Sequence, residues 1–169
     1  MTLSLYDISV PALLRGLENL SAQICKAVAF AAERGIDEQE LVQARLIEDM
    51  IPFVRQVQIA TDTAKFCAAR LAQVQAPAWA DEETTFAELQ ARVARAIDYL
   101  RAVPRGDIDG KEQAAIDFRA GQHALHFTGQ DYVRSFVLPN FYFHCSVAYA
   151  ILRHKGVPLG KMDYLGRIQ

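Results

Sequence analysis

Cysteine is scarce in this chain. Its three cysteines, Cys25, Cys67 and Cys145, fall in no CxxC or zinc-finger spacing, which excludes a disulfide framework and a thiolate metal site. Each lies inside an apolar helical stretch, where cysteine behaves as a small buried hydrophobe of a reducing compartment. An excess of one charge is lacking as well. Eighteen Lys and Arg face 20 Asp and Glu, for a net charge of −2, so nothing in the charge points to nucleic acid or a membrane surface. Arg92, Arg95, Arg101 and Arg105 are interleaved with Glu88 and Asp98 and carry no aromatic pattern, so they read as a solvated face. The first residues, MTLSLYDISV, lack the basic start and long apolar run of a signal peptide, and a cytoplasmic protein is expected. No apolar run is long and unbroken. The longest, 136–152, contains Pro139, Asn140, His144 and Ser146, which suits a buried helix better than a membrane span.

What is present is apolar periodicity. Hydrophobic residues make up 51% of the 169 positions and charged ones 22%, the balance of one ordinary globular domain spanning 1–169. Steps of four and three predict a first helix over about 11–33, with Val10, Leu14, Leu17, Ser21, Ile24, Val28 and Ala31 as its stripe. DEQELVQARL suits a short helix in the connection that follows. A second helix is expected over 52–74, striped by Phe53, Val57, Ala60, Ala64, Cys67, Leu71 and Val74, with Pro52 in its first turn. Thr85 and Glu88 have capping-box spacing and open a third, striped by Phe86, Leu89, Val93, Ala96, Leu100 and Val103. Two alternating runs around Arg119-Ala120-Gly121 predict a small hairpin, and Thr128 with Asp131 opens a fourth helix over 129–154, ended by Gly156 and Pro158. The expected fold is all-α: an antiparallel four-helix bundle with a small β-hairpin before helix four.

The fourth helix carries the chemistry. Val133, Val137, Asn140, His144, Val147 and Ile151 fall in one register, so an amide and an imidazole face the bundle interior. An unsatisfied buried amide or imidazole costs roughly 1–3 kcal/mol, so partners are required: polar side chains, water, a ligand or a metal. Pro139 either kinks this helix beside Asn140 or divides it in two. His123 and His126, an odd number of residues apart in the hairpin, point to opposite faces. The tail, GKMDYLGRIQ, is expected to pack on the bundle or on a partner through Met162, Tyr164 and Leu165.

The stretches YDISVPALLRGLENL, FVRQVQIATDTAK, ETTFAEL and NFYFHCSVAYAILRHKGVPLGKMDYLG resemble an uncharacterised bacterial domain-of-unknown-function family grouped with the DinB/YfiT-like four-helix bundles. The resemblance spans essentially the whole chain. It implies a homodimer with a divalent metal, zinc or nickel, in a superfamily some of whose members are thiol S-transferases. The superfamily pattern has one ligand histidine on helix two and two, four apart, on helix four, followed by an Arg and a Gly. His144, Arg153 and Gly156 match that spacing. Asn140 then stands at the first helix-four ligand, and Ala60 at the helix-two ligand. One imidazole of three remains. Gln56, one turn before Ala60, reaches the same space, so Gln56, Asn140 and His144 are expected to line a small polar pocket. His144 is the one candidate metal ligand. Two functions follow: a dimeric bundle that binds a small molecule, its metal site degraded, or a metal-dependent enzyme of the thiol S-transferase or hydrolase type.

Overall fold

The first helix, α1 (Leu5–Arg34), opens on a reciprocal cap. The Ser4 hydroxyl accepts from the Asp7 amide, and the Asp7 carboxylate accepts from the Ser4 amide. The computed structural model describes residues 3–167, and in it α1 begins six residues before Pro11. Aspartate takes the place usually held by glutamate or glutamine in such a cap, and Pro11 is carried inside the helix on its exposed side. The buried stripe is Val10, Leu13, Leu17, Leu20, Ile24, Ala27 and Ala31. It steps three-then-four where the sequence reading stepped four-then-three, so Val28 is left 45% exposed.

A short α2 (Glu38–Val42), capped by Asp37, leads to α3 (Phe53–Leu71), whose Phe53, Val57, Ala60, Ala64, Cys67 and Leu71 are fully buried. Val74 lies past its end and is exposed. After a loop, the expected capping box of Thr85 and Glu88 opens α4 (Phe86–Ala102), and a short α5 (Arg105–Ile108) follows it. The hairpin pairs β1 (Ala115–Ala120) antiparallel with β2 (His123–Thr128) across Gly121, whose φ of 58° suits the tight turn.

The last long helix, α6 (Gly129–His154), is continuous. Pro139 does not break this run, as one of its two expected effects required, and stands in the first turn of its last α-helical stretch. The residues just before the proline, Tyr132–Val137, form a π-helical stretch in which the Leu138 amide donates to the Val133 carbonyl, five residues back. The wider turn absorbs the backbone bond that proline cannot make. By length and composition alone α6 could cross a membrane. In the fold its Val133, Val137, Phe141, Ala148 and Ile151 are core. A final turn, α7 (Lys161–Leu165), returns over α1.

The molecule is thus mostly helical with one two-stranded hairpin. Helix α1 packs on α4 and α6, and α3 packs on the same two. At one crossing the helices nearly touch: a Cβ on Gly16 of α1 would lie 2.4 Å from the Phe141 ring of α6. Cys67 and Cys145 are buried as expected, but Cys25 is exposed on α1 and accepts a contact from the Gln90 side chain.

Candidate functional site

Helices α3 and α6 meet along a largely apolar seam into which Gln56, Thr63, Asn140 and His144 project, with Arg70 donating to the buried Tyr132 hydroxyl at 2.8 Å at its other end. Gln56 sits beside Val57 in the α3 stripe and is fully buried. Its Nε2 donates to the Ile51 carbonyl at 3.3 Å, in the turn that enters α3. That bond orients the amide and turns its Oε1 toward α6, where His144 Nδ1 lies 2.7 Å away. An amide oxygen only accepts, so Nδ1 carries the proton and Nε2 keeps the lone pair. No described residue hydrogen-bonds Nε2. His144 is only 8% exposed, and burial lowers its pKa below the ordinary histidine value, keeping the ring neutral.

Asn140 lies one turn earlier and does not join this pair. It is half-buried and donates to the Thr63 hydroxyl at 2.8 Å, while Thr63 donates in turn to the Ile59 carbonyl at 2.7 Å. Asn140 and Thr63 border a shallow cavity of about 190 Å³ under the hairpin, with Phe118 and Phe136 as apolar wall. Of the three pocket residues expected from sequence, then, Gln56 and His144 come together and Asn140 stands apart on its own partner. Thr63 and the Ile51 carbonyl were not anticipated. Thr63 is seven residues from Gln56, two helical turns along the same face, which is the signal that could have found it.

The donor set does not fit a divalent transition metal, which needs about three protein ligands. Ala60 offers a methyl group, the Gln56 oxygen is committed to His144, and Asn140, at most a weak oxygen ligand, is held on Thr63 apart from that pair. Among the described residues, no three His, Cys, Asp or Glu side chains cluster to hold an ion.

A second polar system lies on the other flank of α3. Arg92, expected on the solvated face, has a side chain only 2% exposed. Its guanidinium meets Asp62 and Asp81 at 2.9 Å and Glu83 at 3.0 Å, and donates to the Thr61 hydroxyl and the Ala80 carbonyl. Lys65 also binds Asp62, and Arg55 binds Asp81. Three cations and three carboxylates balance and tie the loop after α3 to α3 and α4. The Trp79 ring caps the cluster, with Lys65 Nζ 4.5 Å and the Arg95 guanidinium 4.8 Å from its centroid. Arg92 is three residues from Leu89 and four from Ala96, on the edge of the buried stripe. Arg95, Arg101 and Arg105 are exposed, as expected. His123, His126 and His154 are exposed too, and His126 contacts Asp117 at 2.6 Å.

The model of the DUF1993 family, described as a domain of unknown function, matches residues 5–165. Among solved structures, the chain is similar to a DinB family member protein from Shewanella denitrificans. The two share 41% identity with a TM-score of 0.87, over 97% of this chain and 93% of that one. No curated protein matches.

Proposed function

Since this chain belongs to the DUF1993 family and resembles a DinB family member over nearly its whole length, we propose that it is an antiparallel DinB-like four-helix bundle, dimeric, that binds a small molecule rather than catalysing a reaction. In this reading a hydrogen-bonded polar pocket replaces the superfamily's metal centre. The observation that supports it is the 2.7 Å contact between His144 and Gln56. In this reading the ring is the Nδ1–H tautomer, and Nε2, which no described residue hydrogen-bonds, is left as a single acceptor for a ligand N–H or O–H. Neutral at physiological pH, the ring receives a hydrogen bond without a charge to desolvate.

The dimer is supported by the surface of α6. Tyr142 and Phe143, adjacent on this helix, stand 39% and 55% exposed, an aromatic patch that suits the face of a partner subunit.

A metal-dependent S-transferase or hydrolase is the second reading. It has the free Nε2 lone pair in its favour, since metal-bound histidines are typically held through the other ring nitrogen. One imidazole is too few for that chemistry.

A thermal-shift screen of small polar molecules against the wild type and His144→Ala separates the two. A ligand that stabilises the wild type and not His144→Ala is expected. Metal-stimulated thiol transfer or hydrolysis by the wild type, lost in His144→Ala, would overturn the binding reading.

A further inference from the structure

One stripe of α1 is polar and half-covered. Arg15, Asn19 and Gln23, spaced four residues apart, hold the C-terminal segment by its backbone. Arg15 donates to the carbonyls of Leu165 and Arg167 at 3.0 and 2.9 Å. Asn19 donates to Tyr164 at 2.9 Å, and Gln23 to Asp163 at 3.1 Å. The pair of Lys26 with Asp163 at 2.6 Å and the bond of Ser146 to the Tyr164 hydroxyl at 2.9 Å fasten the same segment to α1 and α6.

The described residues of this segment do not fill the space they cover. Between α1, α6 and α7 lies a cavity of about 410 Å³, walled by Ala12, Gly16, Cys145 and Leu165 and by the side chains of Tyr142 and Tyr164. That volume suits one small molecule. Arg15, Asn19 and Gln23 also line it. Gln23 is 2% exposed, and its Oε1 has no hydrogen-bond partner among the described residues. The Nε2 bond to Asp163 fixes the amide, so Oε1 cannot satisfy itself by turning over. A buried acceptor left without a donor is costly, and such atoms are normally paired. The Arg15 guanidinium retains N–H groups beyond the two bound to the tail, and these suit a carboxylate.

We propose that this cavity is a binding site for a small carboxylic acid that also carries a hydroxyl or amino donor. The carboxylate pairs with Arg15, the ligand's donor bonds to Gln23 Oε1, and its apolar body lies between the tyrosine side chains. Binding is non-covalent: burial pushes the Cys145 thiol up to about 12, so it is no nucleophile at neutral pH. The site is separate from the His144–Gln56 pair and does not depend on the function proposed for it.

The test is calorimetric titration of the full chain with 4-hydroxybenzoate, benzoate and phenol. 4-Hydroxybenzoate should bind roughly tenfold more tightly than benzoate, which lacks the donor, or phenol, which lacks the carboxylate, the factor one well-made hydrogen bond supplies. Ala12→Phe, at a half-buried position on the cavity wall, should abolish binding by filling the space. Gln23→Met should bring the 4-hydroxybenzoate to benzoate ratio down to about one, and it carries the test if Ala12→Phe does not fold. No binding of 4-hydroxybenzoate to the wild type at millimolar concentration, undiminished binding to Ala12→Phe, or an unchanged ratio in Gln23→Met would each overturn the proposal.

Discussion

Gln56 of α3 and His144 of α6, 88 residues apart in sequence, share a buried 2.7 Å hydrogen bond, and the Ile51 carbonyl decides which end of the amide makes it. The bond joins two helices, sets a tautomer and gives the imidazole a partner within the protein. Replacing Gln56 by leucine keeps the volume but strands the Nδ1–H in an apolar seam. A loss of about 1–3 kcal/mol is expected, measured by chemical denaturation. The double variant Gln56→Leu/His144→Leu should recover much of that loss, because the two apolar side chains leave no donor to satisfy. A double as unstable as the sum of the two singles would show that the residues are not coupled.

The neutral state of His144 makes stability depend on pH. Burial lowers the folded pKa below the ordinary value of 6.5, so in the window between them the unfolded chain binds the proton more readily. The contribution of His144 is therefore complete above 6.5, declines as pH falls below it, and levels off below the folded pKa. Denaturation midpoints at pH 7.5 and 5.5 should differ less in His144→Gln than in the wild type. Equal differences would place the pH dependence elsewhere.

Arg92 anchors the loop that follows α3. Arg92→Met removes the shared cation of Asp62, Asp81 and Glu83 and leaves the Thr61 hydroxyl and Ala80 carbonyl without that donor. Breaking a buried pair from one side costs about 3–5 kcal/mol. The lower end is expected here because Asp62 and Asp81 retain 26% and 35% exposure. Calorimetric melting should register it, and proteolysis should cut first within 72–85. A variant that melts with the wild type would mean the cluster contributes nothing net.

Gly16→Ala tests the contact of α1 with the Phe141 ring. The added methyl would sit 2.4 Å from the Phe141 ring, and overpacking of this kind costs about 1–3 kcal/mol. Gly16→Ala with Phe141→Leu should restore stability if the clash is the cause.

Much of the fold was legible because local signals agreed with it. The Thr85–Glu88 capping box and the α3 stripe from Phe53 to Leu71 occupy the expected residues, and the hairpin turns at Gly121 and Gln122 with Arg119 and Ala120 paired in its first strand. The phase of α1 was not, because Leu13 and Leu14, or Ala27 and Val28, are equally apolar, and only packing chooses between them. At the site, position showed that His144 needed a partner, and Gln56 was named through the family resemblance, as one turn before the ligand position at Ala60. The pairing of Asn140 with Thr63 and the α1 stripe over the cavity depend on how the helices meet one another, which one helix's periodicity does not contain. Arg92 was misplaced for a different reason: a charged residue beside a buried stripe reads as surface unless its counter-charges, here on the loop and on α3, are seen to converge.

The central claim is that the Gln56-held imidazole stands where a metal centre would need three ligands. Elemental analysis of protein purified without a nickel column or chelator, beside His144→Ala, tests it most directly. The account predicts metal far below one equivalent in both proteins. About one equivalent per chain in the wild type, lost in His144→Ala, would contradict it.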